Sequence, residues 1–421
     1  MISQWRLFLK ELFEKLWFVA VLYAALAVFT NITAIMIGPL LPDGLGASLG
    51  AGSVEAVLTI LASSMLSVVT FSLAIMVQAL AGAAAAVTPR ATALLKADRT
   101  TQRVLATFLG SFLYSLIGII SLNTGVLTEN DRLVLFVATI LVVAIVVIAI
   151  LRWIAHLTVF GLMSDSIKKV ERAAQIALDD RIASPYLGGH GRTGPPPPGA
   201  HPIHHPDIGY IRYIHMEWLQ DQASELNCQI YLAALPGAFV HPGMAIAYVV
   251  GDMPEDMSAI TDAYCIGDTR SFDQDPRFGL SVLTEIAERA LSPAINDPGT
   301  AIDILSRAVR LFSRLTDPNA PELLFPNVWV PALTVADMMD DIFPPIARDG
   351  TAIFSVQIRL QKSLLALAQI APAQFTALAQ DHSEMALSRC QSQLLPPELA
   401  ALQAITDQIK ACDTITRPRP I

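Results

Sequence analysis

Charged residues are absent from four long apolar stretches near the start of the chain, at 16–38, 56–87, 104–122 and 133–151. About 20 consecutive apolar residues cross roughly 30 Å of hydrocarbon as a helix, so each stretch predicts a membrane span. The second is the longest. Its 32 uncharged residues would extend about 48 Å at the α-helical rise, which requires tilt or emergence at one end. Beyond the fourth span, residues 152–180 keep a helical period and predict a helix that continues out of the bilayer. Residues 184–209 lose that pattern and are rich in Pro, Gly and His, the composition of a flexible or polyproline II linker.

From 210 to 227 the helical period returns. Alternation at Ile230 and Leu232, turn pairs at Pro236-Gly237 and Pro242-Gly243, and the β-rich run 246–250 predict short strands joined by tight turns. "AYCIGD" and "NVWVPALTV" add two more. Helices are expected at 278–291, 298–315 and 351–371, followed by a C-terminal pair reaching about residue 412. The predicted fold class is four transmembrane helices followed by an α+β domain with a small β-barrel or meander and C-terminal helices. The expected boundaries are 1–160 for the membrane domain, 161–183 for a helical extension, 184–209 for the linker and 210–421 for the α+β domain.

Composition supports the membrane reading, with 53% hydrophobic and 15% charged residues against about 25% charged in ordinary soluble chains. The first apolar run follows Arg6, Lys10 and Lys15 as a signal peptide would, but its core is too long and three more spans come after it. Lys and Arg also cluster at Arg90, Lys96, Arg99 and Arg103 and at Lys168, Lys169 and Arg172, while the loops at 39–55 and 123–132 carry only Arg132. The positive-inside rule then places both termini in the cytoplasm. All four cysteines (Cys228, Cys265, Cys390, Cys412) fall after the last span, so free thiols are expected there. Residues 161–421 hold 19 basic and 30 acidic side chains, a balance that repels phosphate backbones and excludes nucleic acid as a partner. The expected partners are the lipid bilayer, further copies of the chain, and a small ion or solute.

Candidate chemistry is sparse. At 100° per residue, Thr59, Ser63, Ser67, Thr70, Ala74, Gln78 and Ala81 fall on one stripe of the second span. Such a stripe either lets helices pack closely or lines a narrow aqueous path in an assembly. No acid, base or His lies within a span, which argues against proton coupling. Arg90, Lys96, Arg99 and Arg103 form a basic mouth that either anchors to headgroups or favours anions, and Arg152 with His156 admits the same two readings. Asp268, Asp273 and Asp275, with Asn296 and Asp297, are candidates for a cation, although their spacing is not an EF-hand. In "LSPAINDPGTAID" (291–303), Asp297 reads first as an N-cap with Pro298 at the first helical position. The linker histidines His190, His201, His204 and His205 lack the acidic or Cys ligands of a defined metal site. The glycines of "GLGASLGAGS" (44–53) miss the dinucleotide fingerprint, and no Walker A sequence occurs, so no cofactor is expected. Spacing reveals no catalytic triad, and an enzyme ranks behind two other readings: a homo-oligomeric channel-like protein with a sensing or gating domain, and an anchored sensor or scaffold without a pore.

The runs "AVTPRATALLKADRTTQRVLATFLGSFLYSL", "GYIRYIHMEWLQDQASELNCQIYLAALPGAFVHPGMAIAYV" and "FGLSVLTEIAERALSPAINDPGTAIDIL" resemble a bacterial family of predicted membrane proteins, domain of unknown function 2254. "ALSPAINDP" is the most specific part. The family's recurrent residues match at Thr88, Pro89 and Arg90, at Phe278 and Gly279, and at Ser292, Pro293, Asn296, Asp297 and Pro298. The resemblance implies a multi-span inner-membrane protein with a cytoplasmic C-terminal domain, and it carries no established activity.

Overall fold

A computed structural model describes residues 16–42, 53–96, 98–125, 127–251, 258–316 and 322–415. Arg6, Lys10, Lys15 and almost all of the 44–53 glycine run lie outside them. The chain divides into two compact units, Met1–Ser166 and Ile167–Ile421.

The first unit is helical. Its four long apolar helices are α1 (Leu16–Ile37), α2 (Val54–Ala86), α4 (Arg99–Asn123) and α5 (Glu129–Leu157), with the short α3 (Pro89–Lys96) between α2 and α4. All four are long and apolar enough to cross a membrane, as their sequences predict. Polar first turns extend the last two beyond their apolar cores. Asp98 caps α4 by accepting from the Thr101 amide, and Thr128 with Asp131 closes a reciprocal capping box on α5. The core joins Leu58, Leu61 and Met65 of α2 to Phe108 and Tyr114 of α4 and to Leu135, Val142 and Trp153 of α5. Gly118 permits close approach, because a Cβ there would sit 2.9 Å from the Leu58 side chain.

The expected continuous helix through 152–180 is broken. A turn spans 158–161, with Gly161 at φ +81°, a conformation that glycine adopts without the Cβ penalty. Helix α6 (Met163–Ala183) begins afterwards.

The second unit is mixed. A five-stranded sheet runs in the order β1-β8-β4-β6-β2, with β1 (Gly189–Arg192), β2 (His201–His204), β4 (Cys228–Leu232), β6 (Ala245–Gly251) and β8 (Phe325–Pro331). The pairs β1/β8 and β4/β8 are parallel, while β4/β6 and β2/β6 are antiparallel. A three-stranded antiparallel sheet has the order β5-β3-β7, from β3 (Gly209–Ile214), β5 (Phe239–Val240) and β7 (Tyr264–Gly267). Neither sheet closes into a barrel. Ile203, Ile211, Ile214, Leu219, Ile230 and Val328 meet in the core beneath them.

Two sequence expectations are corrected here. The Pro/Gly/His-rich segment 184–209 is not a bare linker, because it supplies both edge strands of the larger sheet. Pro202 is tolerated since β2 pairs on one side only, and Ile203 buries its side chain. The helix expected from 210 begins late. Residues 209–214, with Ile211 and Ile214 buried and Tyr213 exposed, form β3, and α7 (Met216–Glu225) follows.

After the one-turn α8 (Ser258–Thr261), the helices are α9 (Pro276–Leu291), α10 (Pro298–Phe312), α11 (Val335–Asp340), α12 (Phe343–Asp349), α13 (Phe354–Ile370), α14 (Pro372–Cys390) and α15 (Pro396–Ile415). Gly279 lets α9 lie against α6, since a Cβ there would collide with Ala174. Glu171 of α6 accepts from Arg307 and Arg310 of α10. All four cysteines are free.

Candidate functional site

The stripe on α2 faces away from its own bundle. Thr59, Ser63, Ser67, Thr70 and Gln78 are all exposed. Val54, Leu58, Leu61, Met65 and Ser72 are buried, and at 3.6 residues per turn they centre roughly opposite. The hydroxyls satisfy their donors within the helix. Thr59 donates to the Glu55 carbonyl at 2.8 Å, Ser63 to Thr59 at 2.9 Å, Ser67 to Ser63 at 3.1 Å and Thr70 to Ser67 at 2.9 Å. Each oxygen keeps acceptor capacity for water or a cation. The face is uncharged, so it can solvate a passing species but cannot relay a proton by changing charge.

A second polar group lies inside the same unit. Thr30 and Asn31 of α1, Ser111, Tyr114 and Ser115 of α4, and Thr139 of α5 are buried. Asn31 donates to Ala27 at 2.8 Å, Ser115 to Ser111 at 2.8 Å and Thr139 to Leu135 at 2.7 Å, while Asn31 Oδ1 lacks a hydrogen-bond partner among the described residues. Tyr114 lies beside Thr30 and Thr139. The sequence reading passed over this cluster. Its signals were an Asn within an apolar span and the i, i+3, i+4 spacing of Ser111, Tyr114 and Ser115.

Arg90, at the start of α3, and Arg103, in the first turns of α4, are exposed; the side chains of Lys96 and Arg99 lie outside the described ones. His156 Nε2 sits 3.2 Å from Asp98 Oδ1 and 3.1 Å from Thr101 Oγ1, tying the end of α5 to the start of α4. Arg152 is exposed.

In the second unit, the candidate cation ligands have structural partners. Arg270 donates to both oxygens of Asp275, at 2.7 and 3.0 Å, and Asp275 also accepts from the Phe278 amide at the start of α9. Burial pushes the Asp275 carboxyl above the usual range, opposed by Arg270. Asp273 accepts from Ser271. Asp297 caps α10, accepting from the Thr300 amide at 3.2 Å and its hydroxyl at 2.6 Å. Asn296 is exposed at φ +50°, and the Asp297 amide donates back to Ala290. "SPAINDP" is thus the hinge between α9 and α10. Among the described residues, no three His, Cys, Asp or Glu side chains gather where they could hold a metal ion. His190 stacks on Trp329 with ring centroids 4.9 Å apart, His205 accepts from the Asp207 amide, and His201 and His204 are exposed.

The chain is similar to an uncharacterized protein of Mycobacterium bovis, Mb1321c, at 27% identity over 339 residues, covering 76% of this chain and 64% of the relative. The same figures hold for the uncharacterized protein Rv1290c of Mycobacterium tuberculosis. This chain therefore spans less than two thirds of the length of either relative. No solved structure matches it. Residues 14–366, with their four apolar helices and most of the mixed unit, match the description "Predicted membrane protein (DUF2254)", and the chain belongs to that family.

Proposed function

We propose that this membrane protein assembles from several copies around α2, with the Thr59, Ser63, Ser67, Thr70 and Gln78 face turned to a central conduit for ions or small solutes. The observation that carries this reading is the position of the stripe opposite the helix's own packing face. A Gln amide left against hydrocarbon without a hydrogen-bond partner costs several kcal/mol. Copies that bring these faces together hydrate the amide and the free hydroxyl lone pairs. The Lys and Arg distribution orients the bundle with both termini in the cytoplasm of a bacterium, at the inner membrane. Arg90, Lys96, Arg99 and Arg103 would then ring the cytoplasmic mouth, and Ile167–Ile421 would act as a sensing or gating domain.

Single cysteines placed along 58–81, in a background with the exposed Cys265 replaced by Ser, test the conduit in reconstituted vesicles. The expected result is labelling by a water-soluble thiol reagent at 63, 67 and 70, with protection at 58, 61 and 65. Uniform protection of both faces would remove the conduit and leave an anchored sensor without a pore.

A further inference from the structure

The sequence "LDDRIASPY" ends α6 with Leu178, Arg181 and Ile182, then Pro185 and Tyr186. Spacings of three and four residues put Leu178, Arg181 and Ile182 on one helix face, where an amphipathic helix buries its apolar stripe. A guanidinium in that position is unusual, because Arg is almost never fully buried unless paired.

The structure places this face in a cleft of about 270 Å³. Leu178 and Ile182 form one wall; Leu315, Leu333 and Met338 form others, and the polar residues lining it are Arg181, Tyr186 and Gln374. Arg181 is only 7% exposed. Its Nη2 donates to the Gln274 carbonyl at 3.2 Å, and its Nη1 has no hydrogen-bond partner among the described residues. Asp275 lies near enough to favour the charged form, but burial dominates and pulls the guanidinium down to about 10, so it remains a cation at neutral pH. Arg270 already engages both Asp275 oxygens. A buried, charged donor left unmatched is costly to the fold.

We infer that this cleft binds a small organic monocarboxylate, its carboxylate meeting Arg181 and its apolar body filling the space between Leu178, Ile182, Leu333 and Met338. One guanidinium matches one negative charge. A phosphate dianion would find a single cation among apolar walls, with no second basic side chain among the described residues lining the cleft, and would enter under-neutralised. A neutral alcohol accepts a hydrogen bond from Nη1 but leaves the positive charge unbalanced. The site concerns the second unit alone and stands whether or not the spans conduct.

The test uses 4-fluorophenylacetate as the probe, observed by fluorine NMR on the full-length protein in detergent, with the matching fluorinated alcohol and inorganic phosphate as competitors. The expected result is saturable line broadening by the carboxylate, with the alcohol weaker by about tenfold or more, equivalent to about 1.4 kcal/mol, and phosphate without effect at equal concentration. Arg181→Gln should weaken the probe by a similar factor. If that variant does not fold, Ala332→Trp, which occludes the cleft and keeps the charge, should abolish saturation instead. Equal binding of alcohol and carboxylate, displacement by phosphate, or undiminished binding in Ala332→Trp would each overturn the assignment.

Discussion

The two units of the chain differ in what they leave on the outside. In Ile167–Ile421, large apolar side chains such as Phe312, Phe343 and Phe375 lie wholly inside, and the buried Ser383 hydroxyl pairs with that of Thr406 and donates to Gln361, whose amide donates back to the Ser383 carbonyl. In Met1–Ser166, Phe29, Met36, Phe71 and Leu141 point outward, while Ser111, Ser115 and Thr139 are fully buried. The contrast follows from the surrounding solvent. Water expels apolar surface, whereas hydrocarbon is indifferent to it and rewards close packing and internal hydrogen bonds. Exposure therefore means different things in the two units: Leu141 outside is ordinary against lipid, and Gln78 outside needs an explanation.

The largest expected effect tests that contrast directly. Phe375 is fully buried, edge-on to Phe312 at 6.2 Å between ring centroids, so Phe375→Ala should cost the second unit about 3–5 kcal/mol. Phe71 is 69% exposed, and Phe71→Ala should change the stability of the first unit by no more than about 0.5 kcal/mol. Denaturation of the purified protein in detergent reads both. Comparable losses would mean that Phe71 has a partner within the protomer and that the two units follow one rule.

A smaller effect separates the two sets of hydroxyls in the first unit. Ser115→Leu forces extra volume into a filled interior and should destabilise the bundle by about 1–3 kcal/mol. Ser67→Leu lies on the outward stripe, so the protomer should keep its stability, and under the proposed assembly around α2 the mass measured by light scattering should fall. A protomer destabilised equally by both would show that the stripe packs within its own chain.

These inward and outward positions were hard to read beforehand for the same physical reason. The four spans were legible because length and lack of charge suffice to mark them. Which face of α2 packs was not, since both faces are built of small or apolar residues and helical periodicity carries little contrast there. The Asp297 cap was legible because Asp-Pro before a helical run is local chemistry. Strands β1 and β2 were hidden in a polar, proline-rich run, where Ile203 alone marks the buried side and the partners are residues 245–251 and 325–331, far along the chain. Arg181 was equally hidden. One Arg on a charged helix reads as a solvated residue until distant segments close around it.

The smallest expected effect comes from a buried imidazole in the second unit. His382 is 7% exposed, its Nε2 lies 3.6 Å from Asp340, and the Phe343 ring is 6.0 Å away. Burial holds its pKa below the usual 6.5, with Asp340 and Asp381 opposing that shift. The folded protein thus resists a proton that the unfolded chain accepts near 6.5. Between the lowered folded value and 6.5 the unfolded state binds more protons, so stability is complete above that window and is lost as pH falls through it. A melting series from pH 7.5 to 5 should show the second unit's midpoint dropping by a few degrees, at about 2–4 °C per kcal/mol for a domain of this size. In His382→Gln, which cannot take the proton, that drop should shrink. An unchanged drop would assign the acid sensitivity to other groups, and would mean that Asp340 and Asp381 compensate the imidazolium well enough for the interior to hold a charge.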